Sequence, residues 1–146
     1  MNRLFDELFE HTDDLCDRMS NYYQIVKLLL QIGTPKKENG NGRLLCVIDF
    51  IHANYAQPLS VASLARLAHM SEPYFYTCFK QQFGISPIAY LNHYRLTVAS
   101  DLLKATDLPV ARIAESVGFS DPLYFSKLFH RTFQASPRAY RQSAIY

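Results

Sequence analysis

The sequence predicts an all-α fold: two helix-turn-helix subdomains joined by a long central helix and preceded by a helical hairpin. Three observations carry that expectation. None of the 146 residues belongs to a sustained period-2 run of β-branched residues bounded by turns. Apolar residues instead recur at helical spacing between Gly and Pro breaks. Finally, the stretch 113–141, IAESVGFSDPLYFSKLFHRTFQASPRAYR, has a looser copy at 64–90, LARLAHMSEPYFYTCFKQQFGISPIAY.

The elements follow in order. Residues 2–11 place Leu4, Phe5, Leu8 and Phe9 opposite Asp6, Glu7 and Glu10. Thr12, before Asp13 and Asp14, is a candidate cap for a second helix over 13–32, which Gly33-Thr34-Pro35 ends. This hairpin, 1–32, has more apolar surface than two helices can bury and so calls for a partner. Residues 33–43 (GTPKKENGNGR) are polar, Gly-rich and aperiodic, which predicts a flexible linker before a second domain at 44–146. There, 44–55 carries Leu44, Val47, Ile48 and Ile51 on one face. Ser60 caps a short helix running through Ala68, His69-Met70 makes a turn, and Ser71 caps 72–83, whose Phe75, Phe79 and Phe83 are spaced by four. Gly84 closes that helix. Ser86-Pro87 opens the longest helix, to about Ala105, apolar on two sides and therefore expected between the two repeats. Asp107-Leu108-Pro109 opens the second repeat, Gly118-Phe119 breaks it, and Asp121-Pro122 restarts it over 122–133. The two helix-turn-helix units thus span about 60–84 and 109–134.

The copies align with a shift of 49 before the turn (Leu64 with Ile113, Met70 with Phe119) and 50 after it, from Tyr74 with Tyr124 to Tyr90 with Tyr140. A solenoid needs at least three units. Two copies on a long connector fit a two-groove DNA reader better, because a helix of about 20 residues spans roughly 30 Å and successive major grooves lie about 34 Å apart. Base-facing positions then lie opposite the Phe stripe, towards each helix's N-terminus: Pro73, Tyr76 and Thr77 in the first unit, Leu123, Ser126 and Lys127 in the second. Tyr76 and Thr77 offer contacts to thymine methyls and single hydrogen bonds given or accepted; Lys127 suits guanine O6/N7. Phosphate contacts fall to Lys80, Gln81, His130 and Arg131, with the amides at the capped helix starts. Arg95, charged amid apolar neighbours, could also touch phosphate, but an internal salt bridge is the favoured expectation.

Charge and cysteine usage bound the function. Residues 1–42 hold five Lys and Arg against seven Asp and Glu, a net −2; residues 43–146 hold ten against six, a net +4. The basic excess sits with the repeat and permits a polyanionic partner. Cys16, Cys46 and Cys78 are widely spaced and form no C-x-x-C, which predicts buried free thiols in a reducing compartment. No stretch suits a membrane span or signal peptide, so a cytoplasmic protein is expected, with no membrane partner. The sequence shows no Gly-rich phosphate loop, paired carboxylates or metal-ligand spacing among its histidines, and none of the cysteines has a catalytic context. No enzyme activity, cofactor or metal is expected. The rival reading is a helical protein-interaction module with 2–32 as its docking or dimer surface.

Residues 44–141, about two-thirds of the chain, resemble the DNA-binding domain of AraC/XylS-type bacterial transcription regulators. IAESVGFSDPLYFSKLFHRTF and SPRAYR carry the likeness, with SLARLAHMSEPYFYTCFKQQFGISPIAYL, Arg95, Ala99 and Leu102-Leu103. The resemblance implies an all-helical domain that binds double-stranded DNA in adjacent major grooves and activates transcription by touching RNA polymerase. It places the base-reading helices over 72–80 and 122–130. Three departures stand out: Gln134 where the family has Gly, His130 where Lys is common, and Tyr76-Thr77 in place of a basic or amide pair. Residues 2–32 are similar to the helix pair that ends the sensor domain of longer members and often forms a homodimer. No small-molecule-binding barrel is present, so the resemblance puts any effector site outside this sequence.

Overall fold

The chain divides into two units, Met1–Lys37 and Glu38–Tyr146. The computed structural model describes residues 40–143, all within the second, as seven α-helices with no strand among the described residues. The hairpin expected over 1–32 lies outside them, as do linker residues 33–39. The linker expected to reach Arg43 stops short. Helix α1 begins at Gly40 and runs to Asn54. Its stripe of Leu44, Val47, Ile48 and Ile51 is buried, and once packing fixes those turns the helix extends back through Gly42 despite glycine's poor propensity.

Helices α2 (Val61–Leu67) and α3 (Glu72–Phe83) form the first helix-turn-helix; α5 (Val110–Ser116) and α6 (Pro122–Phe133) form the second. Between them runs α4 (Pro87–Ala105), and α7 (Pro137–Ser143) closes the chain. Caps follow local chemistry. Ser60 and Ser63 make a reciprocal capping box on α2. Ser86 Oγ accepts from Ala89 N–H at 3.3 Å, and Ser136 Oγ from Ala139 N–H at 3.2 Å. Ser71 occupies the α3 N-cap position, yet its side chain makes no cap hydrogen bond. Pro73 in that first turn has no N–H to satisfy, so less is asked of the cap.

The repeat is also a packing repeat. The Phe75–Phe79 and Phe125–Phe129 ring centroids are both 5.6 Å apart; Phe79–Phe83 and Phe129–Phe133 are 4.5 and 4.4 Å apart. Tyr90 meets Phe79 edge-on at 5.8 Å, as Tyr140 meets Phe129 at 5.4 Å. Helix α4 is shared between the two cores. Tyr90 near its start packs on the Phe79–Phe83 ladder, whereas Leu96, Ala99 and Leu103 join Ile113, Ala114, Val117, Phe119, Phe125 and Phe129.

Arg95 sits at the changeover and is only 8% exposed. Its Nε donates to Tyr55 O at 2.6 Å and its Nη2 to Gln57 O at 2.8 Å, while the guanidinium lies 5.6 Å from the Phe119 ring centre. The favoured salt bridge is thus replaced by backbone carbonyls, and the side chain is committed inside rather than offered to phosphate. Burial pushes its pKa down from the ordinary arginine value. Gly118, in the second unit's turn, presses on the same place: a Cβ there would lie 2.8 Å from Ala56 O and 2.9 Å from Arg95 Nη2. Segment 55–57, Arg95 and the second turn therefore form one bolt across the two units. Arg141 makes a second clasp, donating from Nε to Leu103 O at 3.3 Å and from Nη2 to Leu108 O at 2.6 Å.

Cys46 is exposed and Cys78 half-buried, both free, so the buried thiols expected from the sequence do not hold for these two; Cys16 lies outside the described residues. α1 buries one stripe only, and Cys46 falls beside it. No helix among the described residues is long and apolar enough to cross a membrane.

Candidate nucleic-acid interface

Each unit makes its turn in the same way. The α2 and α5 C-termini end in Schellman motifs, with a left-handed residue at His69 (φ 53°) and at Gly118 (φ 95°). Met70 N–H donates to Ala65 O at 3.0 Å and Phe119 N–H to Ala114 O at 2.9 Å; His69 and Gly118 N–H reach back to Arg66 O and Glu115 O, both at 3.0 Å. That shared geometry aims α3 and α6 alike. The buried Phe ladder fixes which face each helix turns inward.

On α3, Pro73, Tyr76 and Thr77 are exposed, as are Lys80 and Gln81 one turn on. On α6, Leu123 and Lys127 are exposed and Ser126 is half-buried, with His130 and Arg131 exposed further along. Two hydroxyls are less free than their sequence positions suggested. Thr77 Oγ1 donates to Pro73 O, and Ser126 Oγ to Pro122 O, both at 2.9 Å. In this conformation each hydroxyl spends its proton on its own helix and keeps an acceptor oxygen for a base. Lys127 enters no salt bridge among the described residues. The α6 start is tied by Asp121, whose Oδ1 accepts from Leu123 N–H at 2.8 Å.

Sequence reasoning passed over Tyr74 and Tyr124, which are 60% and 50% exposed at matching places in the two helices. Their signal lay in the alignment, which pairs them one residue before the first Phe of each ladder. A hydrogen bond with the Cys78 thiol raises the pKa of the Tyr74 phenol. Arg141 was visible only as part of a closing motif; its carbonyl partners, 33 and 38 residues away, have no sequence signal.

A helix-turn-helix family model matches residues 64–143. The DNA-binding domain of AdpA, solved in complex with a target DNA, superposes with a TM-score of 0.66 at 30% identity, covering 69% of this chain and 91% of that one. An AraC-type regulator from Chromobacterium violaceum gives 0.66 at 29% identity, covering 70% and 92%. The chain belongs to the AraC-type helix-turn-helix family. Among curated relatives, the lactose operon transcription activator of Staphylococcus xylosus is 37% identical over 127 residues, 84% of this chain and 46% of that protein. The chain spans about half the length of the curated relatives it matches. The AraC-type fold of the described residues is that of transcription regulators rather than of enzymes.

Proposed function

We propose that this chain is a sequence-specific, double-stranded-DNA-binding transcription regulator, an activator, that sets α3 and α6 in adjacent major grooves. One observation carries the reading: two equivalent helices present outward-facing residues on their N-terminal halves from a single connector bolted at Arg95. The 19 residues of α4 span about 28 Å, close to the roughly 34 Å between successive groove faces. Pro73, Tyr76, Thr77, Leu123, Ser126 and Lys127 face base edges, and Lys80, Gln81, His130 and Arg131 reach phosphates. The bolt holds the two helices in one register, so both engage without a further ordering cost.

The relative named as a lactose operon activator and the neighbour solved on its target DNA support this reading. By the same likeness, RNA polymerase is the partner through which activation runs. Residues 1–32 serve as the homodimer surface, 33–39 as linker, and 40–146, from the start of α1, as the DNA-binding domain. The test is binding to duplexes enriched from random DNA, measured against salt. A steep loss of affinity is expected, with log K falling by about 0.9 per neutralised phosphate per decade of salt. Affinity indifferent to both salt and sequence would overturn the proposal.

A further inference from the structure

Resting on that reading, we infer that the recognition helices select DNA chiefly by the C5-methyl groups of thymine: the first unit through Tyr76 with Tyr74, the second through Leu123 beside one guanine held by Lys127. The base-facing positions include no Arg, Asn or Gln, so the bidentate pairs that usually read guanine and adenine are absent. What they offer is apolar. Among the described residues seven large hydrophobic side chains are exposed, and four of them, Tyr74, Tyr76, Leu123 and Tyr124, lie on the first halves of α3 and α6. Leu123, at 74%, is the most exposed of the seven. Apolar surface held in water at the tip of a reading helix has one apolar counterpart in the major groove, and that is the thymine methyl.

The hydroxyls of Thr77 and Ser126 add little polar readout. In this conformation they give their protons to Pro73 O and Pro122 O, and each keeps an acceptor oxygen for a base. The Thr77 methyl remains for apolar contact. Lys127 is the single cation among the six base-facing positions, and as a point donor it suits guanine O6 and N7. The first unit therefore reads mainly by methyl contact, with the Tyr76 hydroxyl left to give or accept one hydrogen bond, and the second combines methyl contact with the Lys127 contact.

Thymine is 5-methyluracil, which makes the test direct. Duplexes enriched from random DNA by the full chain are resynthesised with deoxyuridine replacing thymine one position at a time, and affinity is read by fluorescence anisotropy at fixed salt. Each methyl that the protein covers should be worth about fourfold in affinity, the value of one buried methylene. The salt dependence should not move, because no phosphate contact is lost. Tyr76→Ala should shrink the thymine–uracil difference in the first half-site and leave the second unchanged; Leu123→Ala should do the reverse. Both side chains are exposed, so unchanged thermal melts verify folding. Enriched sites that bind tightly yet ignore every thymine-to-uracil exchange would overturn the inference and leave DNA recognition standing. A chain that enriches no duplex would overturn both.

Discussion

The two helix-turn-helix units share the same two-helix plan and the same two left-handed positions, but they put glycine in opposite places. In the first unit the inter-helix turn uses His69 and the recognition-helix C-cap uses Gly84; in the second the turn uses Gly118 and the C-cap uses Gln134. The difference is set by neighbours. A Cβ at Gly84 would meet nothing within 4 Å, and His69 and Gln134 are exposed. At Gly118 a Cβ would run into Ala56 O and Arg95. Left-handed backbone alone costs an L-residue roughly 1 kcal/mol, which a domain can carry. Left-handed backbone pressed against another chain segment leaves no room for any side chain.

The largest effect is therefore expected at the bolt. Gly118→Ala should cost about 3 kcal/mol, backbone strain and overpacking together, measured by urea denaturation. Arg95→Met should cost a similar amount, about 3 kcal/mol, because Tyr55 O and Gln57 O each lose a charged donor while staying partly buried. The two should not add: removing the Arg95 guanidinium clears one of the two obstacles to a Cβ at 118, so the double variant should be less destabilised than the sum. Strict additivity would break the picture of a single bolt.

That bolt was only half legible in the sequence. The Phe ladders, the caps at Ser60, Ser86 and Asp121, and the break at Gly118 are local signals, since each depends on residues within four or five positions. The outward face of α3 and α6 followed by subtraction once the ladder was known. The burial of Arg95 could be read from its apolar surroundings, but its partners could not, because carbonyls 38 and 40 residues away carry no side-chain signature. The same holds for the hydroxyl protons of Thr77 and Ser126: their rotamers, not their identities, decide whether they donate to a base.

The C-caps give the next, smaller comparison. Gly84→Ala should lose about 1 kcal/mol, from strain at φ 76° without any clash. The reverse change, Gln134→Gly, should gain somewhat less than about 1 kcal/mol, since the Gln134 Nε2 hydrogen bond to Arg131 O is given up as the strain at φ 55° is relieved. His69→Gly should also gain about 0.5–1 kcal/mol. Melting temperatures rank these variants: for a domain of this size about 1 kcal/mol moves the midpoint by roughly 4–8 °C. If Gln134→Gly and His69→Gly both destabilise, the left-handed side chains are held by contacts beyond those that set the turn, and the two units differ by more than the placement of glycine.

The smallest expected effect concerns a position where the units diverge in burial rather than in backbone. At the shift of 50, His93 on α4 corresponds to Ser143 on α7, which is exposed. Burial lowers the His93 pKa below its ordinary 6.5, because the imidazolium is poorly solvated there. The unfolded chain then binds the proton more readily than the folded one. The contribution of a neutral His93 to stability is complete above about pH 6.5 and declines as the pH falls from there through the lower folded-state pKa. Urea midpoints compared at pH 8 and pH 5.5 should show a loss at acid pH that His93→Gln reduces. A change equal in size and sign at both pH values would show that His93 matters only by packing, and would leave the first unit no more acid-sensitive than the second.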